Sequence, residues 1–142
     1  MALSIVTHFM KKRFAFELFL VAILVLGIAF AGYLTYVHYN AHALVCPEGS
    51  IINCGTVLSS PYETVLGIPI ALAGLIWFVV ALLLELAKKD KLAGWWSLLA
   101  LGGALYSITA MYLIGRICIY CASMDVILLL YFALRIGSVV KD

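Results

Sequence analysis

Residues 116–134 read RICIYCASMDVILLLYFAL. Apart from Arg116 and Asp125 the stretch has no charge, and it is long enough to cross most of a bilayer as a helix. It opens on two cysteines three apart, Cys118 and Cys121, and carries Asp125 one turn beyond the second. Such a segment is a membrane helix whose cysteines sit where lipid meets water. Residues i, i+3 and i+4 share a helical face, so the acid falls below the cysteines on the same side.

The rest of the chain fits that reading. It is 66% hydrophobic and 11% charged, where soluble domains are about half apolar and about a quarter charged. The mean hydropathy is +1.17. The expected fold is an all-α integral membrane protein, a bundle of four transmembrane helices. Residues 1–142 form one membrane domain, with spans at about 14–37, 65–87, 93–115 and 118–139. The runs are continuously apolar rather than alternating, which excludes strands, and a lipid-exposed span must satisfy its own backbone. A long outer loop joins helices 1 and 2. Lys11-Lys12-Arg13 and Ala29-Phe30-Ala31 imitate a signal peptide, but the intervening apolar run is long enough to span. The net charge of +2 is small and scattered, so no nucleic-acid partner is expected.

The nine basic residues fix the expected orientation. Lys11, Lys12 and Arg13 precede the first span, Lys88, Lys89 and Lys91 lie between the second and third, and Arg135 and Lys141 end the fourth. Only Arg116 lies on the other side. The positive-inside rule puts both termini in the cytoplasm of a cell-membrane protein. Cys46, Cys54, Cys118 and Cys121 then all face the extracytoplasmic side, where disulfides persist.

A C-x-x-C at a helix N-terminus suits redox chemistry, because the positive end of the helix dipole favours the thiolate that attacks disulfides. Cys46 and Cys54 lie in VCPEGSIINCGTVLSSPYETVLGIP, a loop punctuated by Pro47, Gly49, Gly55 and Pro61. Alone they read equally as a static staple. Beside a second pair they read as a relay, in which loop cysteines meet a soluble protein and pass electrons to the buried pair. The alternatives are a zinc site of four thiolates and a structural bundle with two static disulfides. No haem, nucleotide or flavin motif is present, which leaves a membrane quinone as the electron acceptor. A quinone needs an apolar cavity between helices and a few polar groups. Cys121 is the deeper cysteine and faces that ring. An acid within a span is a functional candidate by default, so Asp125 is expected to handle protons there or to bond a neighbouring helix.

The remaining spans read as structural. Gly102-Gly103, Ala104 and Ser107 are expected to pack span three closely against a neighbour. Trp95, Trp96 and Tyr112 suit the membrane interfaces. Glu85 is expected to snorkel or pair locally.

The order C-x7-C in an outer loop, then SSPYETVLGIP, then C-x-x-C opening the last span resembles the vitamin K epoxide reductase family, most closely its bacterial and archaeal members. The resemblance covers about Phe14 to Arg135. It implies that Cys46 exchanges with a thioredoxin-like (DsbA-like) partner, that Cys54 passes electrons to Cys118, and that Cys121 reacts with a quinone such as menaquinone or ubiquinone. It also implies that Ser60 lies near the quinone and that the protein drives disulfide formation in exported proteins. Some bacterial members carry a fused thioredoxin-like domain; this sequence ends at Asp142 without one, so a separate partner is expected. Animal members have a tyrosine where Asp125 stands, so the resemblance implies quinone reduction rather than epoxide reduction.

Overall fold

The computed structural model describes residues 1–40, 42, 51, 52, 54–58 and 60–141, with the backbone alone at 54, 58, 63 and 138–141. Four long helices dominate: α1 (Ala2–Tyr39), α3 (Ile70–Leu86), α4 (Asp90–Ile114) and α5 (Ile119–Lys141). The short α2 (Cys54–Leu58) and a hairpin of β1 (Thr64–Val65) and β2 (Ile68–Pro69) lie between α1 and α3. Successive long helices run in opposite directions. One end of the bundle therefore gathers the end of α1, the start of α3 and the α4–α5 turn. Among the described residues three helices, α1, α4 and α5, are long and apolar enough to cross a membrane. The protein is accordingly a membrane protein. At 17 residues α3 is shorter, about 26 Å, at the lower limit for a span.

That shortness has a local cause. Residues 64–69 continue the apolar run of the second expected span but fold as a hairpin, with Val65 opposite Ile68. The turn residues Leu66 and Gly67 have φ of 56° and 81°. A two-residue type I′ turn requires positive φ at both places, which glycine adopts without strain. Pro69 then stands at the N-cap of α3. The Tyr106 hydroxyl donates to the Tyr62 carbonyl at 2.8 Å and ties the hairpin's approach to α4.

Packing follows small-residue stripes. Leu20, Leu24, Gly27, Ala31 and Leu34 recur at steps of four and three and are buried along one face of α1. Phe78 of α3 lies over Gly27; a Cβ there would sit 2.5 Å from the ring. The buried face of α4 is Ala93, Ser97, Ala100 and Ala104, and α5 is its main neighbour. Small side chains let helix backbones approach in lipid, where no hydrophobic force drives them together. By contrast, α3 and α4 meet sparsely. Their contact is a tryptophan pair, with the rings of Trp77 and Trp96 within 10° of parallel. Each indole N–H donates to the other's carbonyl, Trp77 to Trp96 at 3.3 Å and Trp96 to Trp77 at 3.1 Å. Trp96, expected at the interface, is thus half-buried between helices; Trp95 is the exposed one.

At the opposite end a buried ion pair joins α3 to α5. The Glu85 carboxylate accepts from Tyr131 Oη at 2.7 Å, from Arg135 Nε at 2.6 Å and from a second Arg135 nitrogen. Arg135 also reaches Asp90 at 3.3 Å. Glu85 therefore neither snorkels nor pairs within its own helix; its partners lie about 50 positions away.

Candidate functional site

Gly115 sets the site. It ends α4 in the left-handed conformation, φ 76°, with its N–H on the Met111 carbonyl. Glycine takes this helix-terminating place because it has no Cβ to clash. The chain reverses at once, and the Cys118 carbonyl accepts the N–H of Ala122 at 2.9 Å, so Cys118 opens α5. Its side chain is fully buried against Val57 and Met111. Cys121 lies one turn on, half-buried, and the two cysteine side chains are within hydrogen-bonding reach. Between them Tyr120 packs on Tyr33 of α1, ring centroids 5.2 Å apart, which holds the start of α5 against α1.

The segment before the hairpin is seated beside these cysteines. The Ile117 N–H donates to the Ile51 carbonyl at 2.8 Å, and Ile52 and Ile117 form a parallel bridge. Two residues later α2 begins at Cys54, and its Val57 packs in the same cluster as Cys118. The backbone of Cys54 thus lies between the Ile52–Ile117 bridge and the cluster that holds Cys118. Cys46 lies outside the described residues, and nothing is described of the Cys54 side chain.

On the other side of Cys121 is a cavity of about 250 Å³. One face of α5 lines it with Cys121, Met124, Asp125 and Leu128, the i, i+3, i+4, i+7 pattern. Small residues make the room: Ala71, Ala73 and Gly74 from α3 face Ala100 and Gly103 from α4. Trp77 closes it toward the bundle's far end. Ala73, Leu99 and Gly103 are exposed, so the cavity opens between α3 and α4 toward lipid. Its polar features are few. Asp125 is 5% exposed and shares a hydrogen bond with Ser107 of α4. Its other oxygen, Oδ2, is buried and has no partner among the described residues. A buried polar atom left unpaired costs about 1–3 kcal/mol, which a bound ligand offsets by supplying the missing bond.

The sequence model of the vitamin K epoxide reductase family matches residues 18–136. The chain belongs to the vitamin K epoxide reductase family. Members of this family are oxidoreductases of thiols and disulfides, associated with quinones. No curated protein sequence matches this one significantly. The cavity fits a quinone head group. Its walls are apolar, a cysteine lies at its edge, and the Asp125 carboxyl, when protonated, can donate from its unpartnered oxygen to a ring oxygen. Ligand pockets usually measure about 300–1,000 Å³, so this space suits a ring without its tail.

Cys118, Cys121 and Asp125, singled out from sequence, lie along the first two turns of α5, Cys118 in the cluster with Val57 and Met111 and the other two on the cavity wall. Ser60 does not line the cavity; its hydroxyl donates to the Val57 carbonyl at 2.7 Å and closes the turn after α2. Ser107 was expected only to pack α4, yet it holds Asp125. Gly102 and Gly103 do not pack closely either, since a Cβ at each would meet nothing within 4 Å. Gly103 instead widens the cavity. The signal for Ser107 was present in part: a buried acid in one span needs a polar partner from another.

Proposed function

We propose that this protein is a quinone-linked thiol oxidase that reoxidises a separate thioredoxin-like protein and so drives disulfide formation in exported proteins. The carrying observation is the position of the C-x-x-C between the anchored 51–58 segment and the cavity. Cys54 begins α2, whose Val57 packs with Cys118, and Cys121 borders an apolar space that fits an acceptor.

The relay runs in balanced exchanges. A partner thiolate attacks Cys46 of the Cys46–Cys54 disulfide; the partner's second thiolate then releases it as a disulfide, leaving two thiols in the loop. The Cys54 thiolate attacks Cys118 of the Cys118–Cys121 disulfide and expels the Cys121 thiolate. Cys46 resolves the Cys54–Cys118 link, which restores the loop disulfide and leaves Cys118 and Cys121 reduced. A bound quinone would supply the two-electron acceptor that lets the Cys118 and Cys121 thiols close again to a disulfide, their two electrons and two protons passing to it. Burial of Cys118 keeps bulky thiols away, so electrons enter through the loop. Asp125 holds the ring oxygen and passes a proton to it, with Ser107 fixing the carboxyl rotamer. Ser60 orders the turn behind α2 and acts at a distance from the ring. The four long helices each cross the bilayer, with both termini cytoplasmic and the cysteines outside.

The test is quinone reduction by purified protein with a small dithiol as donor, followed by absorbance, beside Cys121→Ala. Turnover lost in the variant supports the reading; no turnover by the wild type with benzoquinones and naphthoquinones overturns it. In a Cys54→Ala variant, Cys46 should trap a mixed disulfide with a thioredoxin-like protein. A structural bundle or a zinc site gives no such adduct.

A further inference from the structure

The first fifteen residues have no place in the bundle. Every residue from Met1 to Phe16 is exposed, and the first buried residue of α1 is Leu20. At 38 residues α1 is about 57 Å long, nearly twice the hydrocarbon thickness of a bilayer. The level at which it leaves the bundle is marked. Phe16 lies 5.9 Å from the Arg135 guanidinium, and Glu17 pairs with Lys88 in the α3–α4 turn. Residues 2–15 project some 20 Å beyond that turn.

This projection is two-faced. At 100° per residue, Ile5, Phe9, Val6, Met10, Leu3 and Phe14 cover one half of the helix. Ser4, Thr7, His8, Lys11 and Lys12 cover the other. Arg13 falls on the apolar half one turn before Glu17, whose carboxylate feels its charge. No acid stands between Met1 and Phe16. A helix with an apolar face, a basic face and no acid is the composition that beds into the head-group boundary of a membrane.

We propose that residues 2–15 form an interfacial anchor that lies on an anionic lipid surface beside the bundle, bending from α1 where Phe16 and Glu17 are fastened. The apolar half enters the acyl boundary, and Lys11 and Lys12 meet lipid phosphates. Anionic lipid is the occupant because the uncovered half-cylinder is apolar and its rim is basic, and because the adjoining span keeps it within reach of that surface at all times. Basic residues near such a surface each favour binding by about five-fold.

The experiment is hydrogen exchange of the amides of residues 4–14 in the full chain, reconstituted into nanodiscs of zwitterionic lipid alone or with anionic lipid added. Exchange should slow at least ten-fold in the anionic discs. Lys11→Gln with Lys12→Gln should remove about 25-fold of binding and most of that difference, and Phe9→Ser with Met10→Ser should remove the protection in both discs. These residues touch nothing in the bundle, so quinone reduction should persist in both variants. Equal exchange in the two lipids overturns the proposal. So does protection that rises with protein concentration in detergent, which assigns the face to a second copy of the chain.

Discussion

Removing Arg135 alone should be the most damaging single change to the bundle's structure. The Glu85 and Arg135 side chains are 2% and 4% exposed. Arg135→Met takes two of the three donors from the Glu85 carboxylate and leaves it the Tyr131 hydroxyl at 2.7 Å. An uncompensated buried charge costs about 3–5 kcal/mol, whereas neutral hydrogen bonds between membrane helices average about 0.6 kcal/mol. The two causes therefore differ by a factor that an assay resolves. Replacing the whole group, Glu85→Leu with Arg135→Met and Tyr131→Phe, removes the charge and the hydroxyl it would strand; stability should return to within about 1 kcal/mol of wild type. Unfolding in SDS–detergent mixtures, read by tryptophan fluorescence, reports both, because Trp77 lies 5.5 Å from Tyr131. A single variant losing less than about 1 kcal/mol, or a triple variant as unstable as the single, would refute the reasoning.

Gly27→Ala should cost about 1–3 kcal/mol in the same assay, because the new Cβ meets the fully buried Phe78 ring. Gly103→Leu should fold normally, since its Cβ meets nothing, yet raise the quinone KM several-fold and leave dithiol reactivity of the C-x-x-C unchanged. Asp125→Leu should lower kcat for quinone about ten-fold or more while stabilising the empty bundle, because it removes an unpaired buried oxygen. Unfolding and turnover measured on one preparation would check both halves of that statement.

Helical membrane character and the start of the last helix at Cys118 were legible, because lipid imposes long apolar runs and Gly115-Arg116 breaks the run just before the C-x-x-C. The two-residue hairpin was not. Leu66-Gly67 lacks the Asn-Gly or Asp-Gly signature, and Thr64–Pro69 is uncharged and runs straight into the apolar helix that follows. Glu85 with Arg135, and Ser107 with Asp125, were hidden for another reason: each pair joins different helices, and no local pattern says which polar residue faces which. Gly103 shows the same limit. A glycine within a span reads equally as a contact or as a gap, and only the splay of α3 from α4 decides for the gap.

The mutual clasp of Trp77 and Trp96 has a consequence for the range of substrates. It stitches α3 to α4 at the floor of the cavity, so a ring entering from the side travels no deeper than the level of Trp77 and Leu128. Whatever trails behind the ring stays among the acyl chains and is never measured by the protein. If the proposed quinone binds here, the site should discriminate by ring substituents and ignore tail length, and a cell that changes the number of isoprene units in its quinones could keep this protein unaltered.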